Sequence, residues 1–139
     1  MILEGNLWKD GKHWLIEVPA LDVMTQGRSR KEALAMIKDA LELLVHERHF
    51  KVRIVPTGEE TFFVEASDDT ALIALMLKQL RVKNGLTLEG MARRLGVKSR
   101  NAYAQYEQGR SQPSLKKIQE FLAAMNLSLA LDIIPKKAA

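Results

Sequence analysis

The sequence predicts an α+β fold, with strands in its first half and helices in its second. Three observations carry this. Alternating, β-prone residues flank a turn signal at Asp10-Gly11. From Asp69 onward, apolar residues recur at three- and four-residue spacing between glycine stops. Charge divides at the same place. Residues 1–69 hold 9 Lys/Arg against 13 Asp/Glu, a net of −4, while residues 70–139 hold 12 against 4, a net of +8. An acidic half joined to a basic half implies two modules with different partners. The expected boundaries are 1–67 and 68–139.

The hairpin comes first. Turning at Asp10-Gly11 sets Leu7 opposite Trp14, Gly5 opposite Ile16 and Leu3 opposite Val18 on one apolar face. The other face carries Glu4, Asn6, Trp8, His13, Leu15 and Glu17, with Glu4 facing Glu17. Pro19 ends the second strand, and Leu21–Thr25 forms a third. Ser29-Arg30-Lys31-Glu32 is a capping box that starts a helix. Its inward stripe is Leu34, Ile37, Leu41, Leu44 and Val45, and it ends near His46–Arg48. Lys51–Val55 and Thr61–Glu65 are strands. Asp68 and Asp69 mark the seam and favour the start of a helix at 70–83, with Ile73, Met76, Leu77 and Leu80 inward. Leu88–Leu95, capped by Thr87 and stopped by Gly96, follows. Arg100–Gln108 lies between Ser99 and Gly109, and Leu115–Met125 follows Pro113-Ser114. Leu127–Ile134 is apolar and β-like, and is expected as a terminal strand able to pair with a second copy of the chain.

The four residues GVKS between two short helices have helix-turn-helix spacing. Such a unit needs a small residue at the crossing (Ala92), a residue tolerant of positive φ in the turn (Gly96), and an apolar lock on the second helix (Tyr103). Leu88, Met91, Leu95, Tyr106 and Leu115 complete a small core. Arg100, Asn101, Ala104 and Gln105 then face outward. Arg grips guanine O6/N7 with two bonds, and Asn or Gln does the same for adenine N6/N7. Thr87, Lys98, Ser99, Arg110, Ser111 and Gln112 flank them as candidates for the phosphate backbone. The expected partner is double-stranded operator DNA, bound by a homodimer or a dimer of dimers.

Residues 72–129 resemble the lambda-repressor-like (XRE) helix-turn-helix family, through LxxLRxxxGLT, LT-x4-A-x2-LGV and the closing YEQGRSxPS. The turn departs from the family by one added residue, Lys98. By position, Arg100, Asn101 and Gln105 fall where the family contacts bases. Residues 13–45, HWLIEVPALDVMTQGRSRKEALAMIKDALELLV, are similar to the HicB antitoxin family, with Val23 and Met24 where a glycine and a small residue are usual. That resemblance implies a partial ribonuclease-H-like fold without activity. It also implies a HicA-like mRNA-cleaving toxin as partner, neutralised by occlusion, and repression of the shared promoter. Glu4, Trp8, His13 and Glu17 are the expected toxin-binding residues.

Other classes find little support. There is no cysteine, hence no disulfide or thiolate site. No secretory leader and no stretch of about 18–20 apolar residues is visible, so a soluble cytoplasmic protein without membrane contact is expected. Glu4 and Glu17 lack a third carboxylate for a metal, and His46 and His49 lack two further ligands. The histidines read instead as cations at a helix end. Arg28, Arg30 and Lys31 read as solvated. No catalytic set and no phosphate loop is legible, so neither an enzyme nor a cofactor is expected. The alternatives are a free-standing transcriptional regulator with a small-molecule-sensing N-terminal domain, and a ribonuclease-H-type nuclease.

Overall fold

A computed structural model describes residues 1–136. Five strands form one antiparallel sheet: β1 (Ile2–Asp10), β2 (His13–Val18), β3 (Val23–Gly27), β4 (Val52–Pro56) and β5 (Thr61–Ala66), in the order β3-β2-β1-β5-β4. Helix α1 (Arg30–Val45) leaves the β3 edge and delivers the chain to the β4 edge. Its 16 residues run about 24 Å, against about 19 Å for four inter-strand spacings. One helix is therefore long enough to cross the sheet. Leu7, Ile16, Val18, Val52, Phe62 and Val64 turn toward it and are buried with Ala33, Ile37 and Leu41. The opposite face of the sheet stays open.

The hairpin register differs from the expected one. Leu7 pairs with Ile16 and Asp10 with His13, so the two-residue loop is Gly11-Lys12. Gly11 takes the positive φ of 60° that its first loop position demands. The slip is an even number, so the apolar face survives it. The facing of Glu4 and Glu17 does not. Glu17 sits between Asn6 and Met24, while Glu4 lies opposite Phe63 of β5.

Pro19–Leu21 is a single 3-10 turn that buries Leu21, and Asp22 is left-handed at φ 50°. The third strand consequently starts at Val23, two residues later than expected. Ser29 caps α1, its Oγ accepting from the Glu32 N–H at 3.1 Å. Ala33 is the fully buried residue of the first turn of α1, because Gly27 lets that turn come within 2.4 Å of where a Cβ would stand, and Leu34 packs half-buried against the same core. Leu44, in the last turn of the helix, is exposed. His46 ends α1 in the left-handed region, and His49 lies beyond the helix, so the two histidines share no helical face. Glu42 ties α1 to β4: its carboxylate accepts from Lys38 Nζ at 2.7 Å and from the Val52 N–H at 3.1 Å. The Lys38 hydrogen bond, against some cost of burial, holds this carboxyl below the usual glutamate range.

Four helices follow: α2 (Asp69–Lys83), α3 (Leu88–Leu95), α4 (Asn101–Glu107) and α5 (Leu115–Ala124). Asp68 caps α2, accepting from the N–H groups of Thr70 and Ala71. The stripe expected on α2 was narrow, but every residue from Ala71 to Leu77 is buried. The reason is its position: it packs against α1 and the Pro19–Leu21 turn as well as against α4. A helix apolar all round is one covered all round. Buried residues from Leu7 to Met125 accordingly form one continuous cluster. The expected terminal strand is absent: residues 127–136 have no regular structure, and although Leu127 and Leu129 rest on the core, Leu131 and Ile133 are exposed. A strand needs a partner ladder, and a single chain offers this segment none.

Gly5 is covered by the Phe62 ring, whose Cζ lies 2.0 Å from where a Cβ would be. Gly5→Ala therefore overpacks the sheet–helix core and is expected to lower stability by about 1–3 kcal/mol in urea denaturation.

Candidate nucleic-acid interface

Helices α3 and α4 pack on each other through the small residues the motif requires. Ala92 is buried at the crossing, and Gly96 closes α3 at φ 71°. Thr87 caps α3, its Oγ accepting from the Gly90 N–H at 3.0 Å. Tyr103 is fully buried, edge-on to Phe121 of α5 at 5.0 Å, with Tyr106 5.2 Å from the same ring. Both tyrosines thus belong to the core. Burial, and then the nearby Glu107 carboxylate, push the Tyr103 phenol far above the usual tyrosine range. Met91 completes this core, with Leu88 and Leu95 partly buried against it. Leu115 does not join it and is exposed, because it opens α5 on the side turned to solvent.

The turn between the helices is residues 96–100, and α4 begins at Asn101 rather than Arg100. Arg100 occupies the cap position with helical dihedrals and no capping side chain, while Ser99 Oγ accepts from the Asn101 N–H at 3.2 Å. Arg100 and Asn101 are exposed, and Gln105 is half-buried. Asn101 and Gln105, four residues apart, share the side of α4 away from Tyr103, while Arg100 precedes the helix and stands at its head. Ala104 does not share that side: it is buried beside Tyr103, and Ala102 is the small exposed residue between the polar groups. The cause is the winding of α4, whose inward stripe is Tyr103, Ala104 and Glu107. Gln105 is held at both ends. Its Nε2 donates to the Ala102 carbonyl and its Oε1 accepts from Ser111 Oγ, each at 3.4 Å.

Around this set, Lys98, Ser99, Arg110 and Thr87 are exposed at the ends of α3 and α4. Ser111 is half-buried through its bond to Gln105, and Gln112 is drawn toward α2, accepting from Thr70 Oγ1 at 3.2 Å. The four residues expected to meet a protein partner lie elsewhere. Glu4, Trp8, His13 and Glu17 share the open face of the sheet, with Leu15, Met24 and Phe63. Glu4 and His13 are exposed, whereas Trp8 and Glu17 are half-buried.

The decisive contact was not anticipated from the sequence. Arg81 of α2 donates from Nε to Glu107 Oε1 at 2.6 Å and from Nη2 to Oε2 at 3.0 Å, and from Nη1 to the Leu86 carbonyl at 2.7 Å. The side chains are only 12% and 6% exposed. One planar fork thus fixes the end of α4 and the approach to α3 at once. The available signal was an arginine set into an apolar helical run, LMLKQLR, where burial demands a carboxylate partner. The Glu107 hydrogen bond holds the Arg81 guanidinium above even its ordinary high range. Arg81→Met, which strands a buried carboxylate, is expected to cost about 3–5 kcal/mol in urea denaturation. Arg81→Met combined with Glu107→Leu is expected to recover most of that loss.

Residues 77–131 match the family model described as helix-turn-helix. The matched stretch runs from the last turns of α2 through α5 into the tail, so it contains the whole α3–turn–α4 unit and the Arg81–Glu107 pair. No curated protein matches the chain. The match and the exposed polar set on α4 together mark this part of the chain as a DNA-binding regulator module of the XRE-like helix-turn-helix type.

Proposed function

We propose that this protein is the antitoxin of a type II toxin–antitoxin pair, which binds operator DNA through α3 and α4 and neutralises a basic, HicA-like mRNA-cleaving toxin through its N-terminal sheet. The observation that carries the DNA half is a short helix locked on the core by Tyr103, with Arg100 and Asn101 exposed at its head and Gln105 half-buried one turn further on. Arg100 would grip a guanine, and the two carboxamides would read adenine. Lys98 and Arg110, neither of them ion-paired among the described residues, would meet phosphates. The toxin half rests on the HicB-like run at 13–45, with the partial ribonuclease-H-like fold it implies, and on a face suited to a basic protein. Trp8, Leu15, Met24 and Phe63 there form a one-sided apolar surface beside Glu4 and Glu17. Apolar contact would supply affinity and the carboxylates would steer a cationic partner.

Two-fold operators require two such modules about 34 Å apart, so the protein acts as a dimer. Leu127–Ile134, unpaired in the single chain, is the segment proposed to join two copies. In the described residues no helix is long and apolar enough to cross a membrane, and work in the cytoplasm is part of the proposal.

Arg100→Ala is expected to cost about 1–3 kcal/mol on the operator and to relax preference at one base pair. Lys98→Ala is expected to weaken all duplexes alike and to reduce the salt slope by about one. Both are read from binding isotherms at several salt concentrations. Co-purification from the native operon, followed by mass measurement, is expected to return a complex of two or four copies with a small basic protein. Recovery of the chain alone, with a bound small molecule, would favour the sensor-regulator instead.

A further inference from the structure

We propose that Glu89 is a positioning residue whose carboxylate holds the Arg100 guanidinium and commits that side of the interface to a G·C base pair. The proposal rests on the DNA-binding reading above. Four carboxylates follow residue 69. Glu107 is consumed by Arg81, Glu120 lies on α5 and Asp132 lies in the tail. Glu89 is therefore the carboxylate standing on the exposed surface of α3 and α4. A carboxylate facing phosphates weakens binding, so its presence calls for a compensating role.

The geometry supplies one. Arg100 Nη1 donates to Glu89 Oε1 at 2.7 Å, from the head of α4 to the first turn of α3. The two side chains are 56% and 54% exposed, so the pair is open to solvent. A guanidinium has five N–H donors, and one bond to Glu89 leaves a fork for a second acceptor pair. Arg100 supplies the side-chain hydrogen bond to the Glu89 carboxylate among the described residues. In the major groove a G·C pair presents, in order, two acceptors (N7 and O6) and one donor (the cytosine N4 amino group). Cation then anion matches that order. An A·T pair sets thymine O4, an acceptor, where the carboxylate would lie, and like meets like. Pairing also lowers the Glu89 carboxyl below its usual range, first through a backbone N–H at the helix start and then through Arg100, so it stays charged at neutral pH.

The test uses the full chain. Duplexes are selected from a random library by the wild-type protein. Affinity is then measured for the selected duplex, for each of its single-base-pair variants and for an unrelated duplex, with wild type, Glu89→Ala, Glu89→Gln and Arg100→Ala. Glu89→Ala is expected to bind unrelated DNA severalfold more tightly. It is also expected to lose about tenfold of the preference at the one base pair that Arg100→Ala relaxes, with other positions unchanged. Glu89→Gln, which keeps an acceptor without the charge, is expected to fall between. If Glu89→Ala tightens every duplex equally, or lowers only the melting temperature, while that preference is kept, the positioning role is overturned. If Arg100→Ala relaxes no position, base reading by Arg100 itself fails and takes this inference with it.

Discussion

A guanidinium and a carboxylate shut away from water hold the C-terminal part of this protein in place. Arg81 and Glu107 are 26 residues apart and satisfy each other with two hydrogen bonds, while the remaining nitrogen takes the Leu86 carbonyl. Neither group tolerates burial alone, since a desolvated charge without its partner is costly. The pair therefore specifies geometry more than it adds stability. Helix α4 has only seven residues, and its cap residue Arg100 makes no side-chain cap bond, so little in its own sequence beyond Ser99 keeps it helical. Its place depends on Tyr103 packed on Phe121 and on Glu107 bound to α2.

Helix α2 transmits that constraint to the rest of the molecule. Its buried run, Ala71 to Leu77, belongs to the same apolar cluster as the sheet and α1. Two surface ion pairs accompany it: Lys83 with Asp22 at 3.0 Å, and the Met1 ammonium with Asp69 at 3.0 Å. Exposed pairs of this kind contribute little by themselves. They do connect α2 to the start of β1 and the turn before β3. The sheet and α4 thus share one continuous apolar core through α2.

Charge looks different once partners are assigned. The excess of positive charge after residue 69 marked the second half as the one suited to a polyanion. Arg81 is neutralised in the interior, Lys83 and Arg100 are paired, and Arg94 donates to the Ala124 carbonyl at the end of α5. Lys98 and Arg110 remain beside α4 without ion pairs among the described residues. Net charge alone said nothing of which cations stand beside α4.

The limits of α3 and its caps at Thr87 and Gly96 were legible in the sequence, because a cap is a local bargain between one side chain and the nearest free N–H groups. The apolar face of the hairpin was legible as well, since alternation has period two and outlasts an even slip of register. What stood beyond the sequence was everything set by distant contact. The turn residues of the hairpin, Ala33 buried against the sheet, and Ala104 turned inward all depend on how closely another element approaches. The Arg81–Glu107 and Arg100–Glu89 pairs join residues whose separation in the chain carries no periodic signal. Local rules state which side chains want a partner, and only the folded chain decides which partner comes within three ångströms.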